Sequence, residues 1–341
     1  MERGRSVFLI LRRSRPGGFR PAMRPAGSIR GRLGLMPWLG LLGLLGACAA
    51  APCQPEAGDV LPVAMLGGHP LVPVGVNGRA VPFLLDTGAS RTSLVPGSVA
   101  ALGLQQDTLR KSRAVGIGGE SEAQNVLMAR FRVGARELRG LTLPVAQAQG
   151  RGFAGFVGMD LLRVSEVELD FPSRRVVLHD ARSCSGPGGA WAEAYGTLPL
   201  TITPQGLLVV RVVANGHPMR ALFDTGAEAT VMRQGVATRA GVPEAVLARP
   251  VDGWTSGVGP AMRGVRRHLL PELRVGEEVL RDVPVGIVET SWDLPFEMVL
   301  GMDYMASRRF WISYDRQRLH VQRAGAEARV PVVGRATATV P

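Results

Sequence analysis

Two aspartates in this chain stand in the same surroundings. Leu84-Leu85-Asp86-Thr87-Gly88-Ala89-Ser90 returns as Leu222-Phe223-Asp224-Thr225-Gly226-Ala227-Glu228. In each copy two apolar residues lead a carboxylate into a tight turn, and glycine follows where the backbone must bend closely. A single Asp at such a place is ordinarily a turn former. Two in matched contexts suggest a facing pair, and facing carboxylates can share a proton and activate water.

The elements that must position the two turns are repeated with them. Asn77-Gly78 precedes Asp86 by the same interval as Asn215-Gly216 precedes Asp224, and Asn-Gly between apolar runs is a strong hairpin signal. This predicts paired strands at 72–76 with 81–85, and at 207–213 with 219–223. Gly103 and Gly241 follow at matching distances and close short helical segments, 98–102 and 234–240. Phe156-Val157-Gly158-Met159-Asp160 then corresponds to Val299-Leu300-Gly301-Met302-Asp303. Both copies end in a strand-turn-strand, 167–171 with 176–178 and 310–313 with 319–321. The stretches between are β-like at 126–133, 141–145, 268–275 and 283–288. Four features in one order describe an internal duplication of a β-rich unit of ordinary domain size.

The paired Asp-Thr-Gly-Ala turns and the later Phe156-Val157-Gly158 and Val299-Leu300-Gly301 resemble the retropepsin-like and pepsin-like aspartic proteases, over roughly residues 60–323. The pattern is similar to a bacterial, single-chain form with two retropepsin-sized halves. That resemblance implies an all-β fold of two tandem β-barrel lobes with the active site at their interface. It gives Asp86 and Asp224 the catalytic roles, with Thr87, Gly88, Thr225 and Gly226 supporting the turns and Asp160 and Asp303 supporting the fold. Gly116, Ile117, Gly118 and Gly119 look like the glycine-rich flap of the retroviral enzymes. Trp254 opens the counterpart, Trp254-Thr255-Ser256-Gly257-Val258-Gly259. The family often has an acidic residue after the alanine; here those places hold Ser90 and Glu228. Gly116–Gly119 is expected to be the moving lid. Pro260 fixes φ beside the second flap, which is expected to be a stiffer wall, with Trp254 either facing the cleft or the hairpin base, or filling core.

The chemistry expected of such a pair needs no cofactor. Two carboxylates a hydrogen bond apart cannot both ionise cheaply, so one proton is shared. The ionised member takes a proton from a held water and the protonated member polarises a peptide carbonyl. An extended peptide gripped strand-fashion beneath the flap is the natural partner.

Charge excludes another class. Of the formal +12 over 341 residues, residues 1–47 supply +8 through nine arginines and one glutamate. The mildly basic remainder lacks the footprint of a nucleic-acid binder. Leu33–Ala47 is an apolar run too short to span a membrane but suited to a signal-peptide core. Its end, Leu45-Gly46-Ala47-Cys48, resembles a bacterial lipobox, implying cleavage before Cys48 and lipid on that cysteine. Ordinary signal cleavage near 47–51 is the alternative. The lipoprotein reading puts a monomer on the periplasmic side of the cell envelope, the outer membrane preferred because Ala49 is not an Asp; a soluble secreted or periplasmic protein is the other outcome. Cys53 and Cys184 remain, and either pair as a disulfide or stay free. Scattered histidines and unclustered cysteines argue against a metal.

The chain divides as a signal peptide (1–47), a tether (48–60), a first lobe (61–182), a linker (183–195), a second lobe (196–323) and a tail (324–341). An aspartic endopeptidase is the leading reading. A non-catalytic peptide-binding module on the same fold is the alternative, and a structural β-repeat with two ordinary turns is the third.

Overall fold

Asn77 and Asn215 sit at φ 48° and 46°, the conformation that a two-residue turn between twisted strands requires. The hairpins they close pair His69–Val76 with Arg79–Leu85 and Leu208–Ala214 with His217–Phe223. Each second strand delivers its aspartate. The protein is described here by a computed structural model over residues 10–12, 58–148, 152–182, 186–188, 191, 193–290 and 294–323. Cys48, Cys53 and Cys184 lie outside the described residues.

The fold is all-β. A short strand slots beside each Asp-bearing strand. Gly155–Val157 runs parallel to Arg79–Leu85, with Phe156 opposite Leu84, and antiparallel to Ser93–Leu94. Met298–Leu300 does the same between His217–Phe223 and Val231–Arg233. Each short strand therefore lies between the two strands that flank an aspartate's loop. These strands are apolar and fully buried, as a strand covered on both faces must be.

The short helices fall near their expected places. The first is Pro96–Ala101, with Gly103 at φ 63° beyond it. The second, Gln234–Ala237, stops earlier than the expected 234–240, and the chain turns before Gly241 at φ 74°. The long hairpins exceed their expected bounds. Gln105–Gly116 pairs with Gly119–Val133, and Arg263–Val275 with Glu278–Val288. Gln105–Gly116 was not expected as a strand, because most of its residues are exposed and it carries no apolar alternation. A short strand near the start of the chain, Ile10–Arg12, pairs antiparallel with Arg113–Val115.

The terminal hairpins of the two copies do not close on their own lobes. They meet in a shared antiparallel sheet, in the order Gly196–Ile202, Arg318–Arg323, Arg308–Ser313, Glu166–Asp170, Arg175–His179, Asp59–Pro62. Leu169 faces Phe310 across the junction. The polar face of this junction is also buried. Trp311 Nε1 and Ser313 Oγ donate to Glu166 at 2.6 and 2.8 Å. Glu168 accepts from Arg309 Nε at 2.7 Å and meets His179 Nε2 at 3.0 Å. Buried carboxylates are costly unless each is paired and hydrogen-bonded. Here Arg309, Trp311 and Ser313 come from the opposite lobe, so the shared sheet and these bonds tie the two lobes together.

Candidate active site

Asp86 and Asp224 arrive from opposite lobes and meet at the centre of the molecule, both fully buried. Each turn is held from its own lobe. Asp86 N–H donates to Val157 O at 3.0 Å and Asp224 N–H to Leu300 O at 3.1 Å. Within each turn the following glycine N–H donates to the aspartate's own Oδ1, Gly88 at 2.9 Å and Gly226 at 2.8 Å. The turns also approach each other closely. A Cβ on Gly226 would lie 2.6 Å from Asp86 Cγ, and one on Gly88 would collide with Asp224 Cγ. Only glycine leaves room for the opposing carboxylate.

The threonines lock the turns together. Thr87 Oγ1 accepts from Thr225 N–H at 3.0 Å and donates to Phe223 O at 2.7 Å. Thr225 Oγ1 accepts from Thr87 N–H at 3.0 Å and donates to Leu85 O at 2.6 Å. Both hydroxyls thus satisfy backbone groups of the other lobe.

With each Oδ1 fixed, the Oδ2 atoms are left. Both are buried, and neither receives an N–H or O–H from the rest of the protein. The carboxyls lie within hydrogen-bonding reach of each other, and a proton between them turns that contact into a hydrogen bond. Burial drives the Asp86 carboxyl up to about 7, with the bonds from Asp224, Gly88 and Ala89 pulling against it. Burial also raises Asp224, and the neighbouring Asp86 charge raises it further. Both carboxyls are thus raised, and one proton is shared between them.

Asp160 and Asp303 do not join the pair. Asp160 Oδ1 accepts from Thr92 N–H and Oγ1 at 2.7 and 2.8 Å, and Thr92 Oγ1 accepts from Gly158 N–H at 3.1 Å. Asp303 and Thr230 repeat the arrangement, with Gly301 N–H donating to Thr230 Oγ1 at 3.2 Å. Thr92 and Thr230 escaped the sequence reading. Their signal was a threonine six residues after each Asp in both copies. The residues after the alanines differ: Ser90 is buried and Glu228 is exposed.

Two hairpin tips close over the pair. Gly116 and Gly119 pair across the first tip, with Gly119 at φ 120°. The second tip lies between Gly253–Thr255 and Arg263–Val275. Gly118 N–H donates to Val258 O at 2.9 Å and Ala261 N–H to Gly118 O at 2.8 Å, while Arg263 Nε donates to Ile117 O at 3.1 Å. Each tip packs into the opposite lobe. Ile117 joins Leu207, Leu222 and Val299, and Val258 joins Leu71, Leu84 and Phe156. Trp254 is half exposed, so it is not core filler. Among the described residues no three metal-ligating side chains converge.

Residues 72–161 match the aspartyl protease family, and residues 210–307 match the gag-polyprotein putative aspartyl protease family. The chain carries two aspartyl-protease domains. DNA damage-inducible protein 1 of Kluyveromyces lactis is 31% identical over 117 residues, which is 34% of this chain and 26% of that protein. Protein DDI1 homolog 1 of Homo sapiens is 32% identical over 112 residues, 33% of this chain and 26% of that protein. The chain thus spans about a quarter of the length of the curated relatives it matches. The crystal structure of the aspartic proteinase from Irpex lacteus superposes with a TM-score of 0.52 at 12% identity, covering 79% of this chain and 98% of that one. At that identity the likeness is one of fold, and the fold is that of a pepsin-like aspartic protease.

Proposed function

We propose that the protein is an aspartic endopeptidase that hydrolyses peptide bonds with water activated by Asp86 and Asp224. The observation that carries this reading is the state of the four carboxylate oxygens. The inner pair is fixed by backbone N–H groups of the turns, while the buried outer pair has no donor from the protein. Such oxygens suit a bound water and a shared proton.

The chemistry follows from those positions. The ionised member of the pair takes a proton from water as the water oxygen bonds to the scissile carbonyl carbon, and the proton on the other member passes to the carbonyl oxygen. Collapse of the resulting diol returns a proton to the member that gave one, and the departing amine takes the proton held by the other. A new carboxyl and a new amino terminus result, and both aspartates end as they began. Opening the tips frees the N–H of Gly118 and the carbonyl of Val258 for the backbone of an extended peptide.

Incubation of the full chain with a denatured protein at acidic and neutral pH, read by mass spectrometry for new termini, tests the reading. Cleavage at defined bonds is expected. No cleavage at any pH, with peptide binding retained, would favour a non-catalytic peptide-binding module.

The raised carboxyls also set a pH dependence of stability. Their folded-state values lie above the ordinary carboxylate value, so between about pH 4 and pH 7 the folded state holds more protons than the unfolded one. Their contribution to stability is therefore lost as pH rises through that window. Asp224→Asn removes the burden. The variant should melt on the order of a few degrees above the wild type at pH 7, with the gap shrinking towards pH 4. A gap that is constant or reversed in calorimetric scans would contradict the raised pair.

We also place the enzyme at the cell envelope, held by lipid on Cys48, on the strength of the apolar run 33–47 that precedes a small-small-Cys sequence. Cys48→Ser should move the protein to the soluble fraction or leave the precursor uncleaved. Unchanged fractionation and unchanged mass would exclude the anchor.

A further inference from the structure

The two lobes carry matched hairpins of opposite charge. Residues 130–139 correspond to residues 272–281, each with Arg-Val-Gly at the turn and Leu-Arg at the end. The match is also structural. Asn77 Oδ1 accepts from Arg130 N–H at 2.9 Å, and Asn215 Oδ1 accepts from Glu272 N–H at 2.9 Å. The first stretch holds four arginines and one glutamate, a net +3, and the second holds three glutamates and two arginines, a net −1.

In the second lobe Glu272 neutralises its neighbours, meeting Arg274 Nε at 2.6 Å and Arg281 Nη1 at 2.8 Å. In the first lobe Arg130 stands in that place, directly opposite Arg139. Like charges so opposed are destabilising. Arg132 lies two residues on and so shares their face, and all three are exposed. Glu137, opposite Arg132, pairs with Arg139 at 2.6 Å. Among the described residues neither Arg130 nor Arg132 has a carboxylate partner; Arg132 Nη1 donates to Gly134 O at 3.3 Å. On its other side Arg132 faces Gly75, which has no side chain to cover it.

The tether enters the fold at this hairpin. The Asp59 carboxylate accepts from Ala135 N–H in the hairpin's turn, and a Cβ on Gly134 would collide with it. Asp59 lies eleven residues after Cys48, a reach of at most about 40 Å. A lipid on Cys48 therefore holds a bilayer within that distance of Asp59, beside the three arginines. The strand that carries Arg130 and Arg132 begins at Gly119 in the first flap, up to about 35 Å away along the strand.

We infer that Arg130, Arg132 and Arg139 form a docking surface for the anionic phospholipid headgroups of a bilayer, so that the outer hairpin of the first lobe, and not the flap, faces the membrane. Phosphate oxygens supply there the counter-charge that Glu272 supplies in the second lobe. This rests on the anchor reading above, and it goes beyond that reading by naming a second membrane contact and the orientation it imposes.

The test is arginine footprinting of the full chain with phenylglyoxal, read by mass spectrometry, on vesicles of phosphatidylcholine alone and of phosphatidylcholine with phosphatidylglycerol. An arginine at an anionic surface gains about fivefold in partition. Labelling of Arg130, Arg132 and Arg139 should therefore fall on the order of fivefold or more on the anionic vesicles. High salt should restore it, and Arg274 and Arg281 should label alike on both. Arg130→Glu, which places a carboxylate where the second lobe has one, should cut the protection of Arg132 and Arg139 to about twofold or less. Equal labelling on both kinds of vesicle, with lipid found on Cys48, would overturn the inference and leave the anchor reading intact. If Cys48 carries no lipid, the anchor reading falls, and the same footprint is taken with vesicles added in excess. The anionic vesicles alone must then still protect the three arginines, and unchanged labelling would overturn the docking surface. Unchanged labelling together with weaker cleavage of acidic peptides by Arg130→Glu would make the patch a substrate contact, which overturns it equally.

Discussion

Asp86→Asn and Asp224→Asn are each expected to lower kcat/KM by at least about 10³-fold, the range of general acid–base catalysis by a positioned group, with the fold retained. The substitution is nearly isosteric, and the inner oxygen can still accept the glycine N–H that each turn supplies at 2.9 or 2.8 Å. What changes is the outer position. An amide there donates to the remaining carboxylate, whose outer oxygen otherwise has no donor from the protein, and so occupies the place of the shared proton. The variant pair can neither accept a proton from water nor donate one to a carbonyl. Peptide cleavage assays and circular dichroism together check this. Near wild-type turnover in either variant would show that the two aspartates do not act as a pair.

Thr87→Val should be nearly as damaging, by a different route. Valine keeps the shape and removes the hydroxyl that serves two groups of the other lobe, the N–H of Thr225 and the carbonyl of Phe223. Both are buried, and an orphaned buried group costs on the order of 1–3 kcal/mol. For the two groups together the loss should be roughly 2–6 kcal/mol of stability, together with a large fall in activity as the turns separate. Thr225→Val should behave alike, because the arrangement is reciprocal. Thr87→Ser retains the hydroxyl and should recover most of both. Denaturant unfolding of the valine and serine variants separates a lost hydrogen bond from lost packing: destabilisation by serine but not by valine would mean that the methyl group, not the hydroxyl, matters.

The features legible in the sequence are those with a local chemical cause. Asn-Gly before each aspartate fixes a hairpin turn; apolar pairs before each Asp fix a buried strand; Gly103 and Gly241 end short helices. Because these recur in one order, the pairing of Asp86 with Asp224 was legible too, although the two are far apart in the chain. The shared sheet was not legible. Glu166–Asp170 pairs with Arg308–Ser313 across the whole duplication, and nothing in either strand announces the other. Nor did Glu166 and Glu168 look buried, since their partners Trp311, Ser313 and Arg309 belong to the second copy. The first flap strand was missed for the opposite reason: Gln105–Gly116 lies mostly in solvent and gains nothing from apolar alternation. Its glycine tip was recognised, but the crossing of Ile117 and Val258 into opposite lobes depends on how the lobes face each other, which no local pattern encodes.

In the proposed reaction water attacks the peptide bond directly, with a proton held between Asp86 and Asp224. Digestion of a single-site peptide in ¹⁸O-labelled water, with a primary amine added as a competing nucleophile, addresses this most directly. The expected product carries one ¹⁸O in its new terminal carboxyl at the earliest time points, with no amine adduct, and neither asparagine variant forms it. Transfer of the acyl fragment to the amine would reveal a covalent intermediate, and labelled product from Asp86→Asn or Asp224→Asn at the wild-type rate would place the chemistry elsewhere; either result would contradict the account.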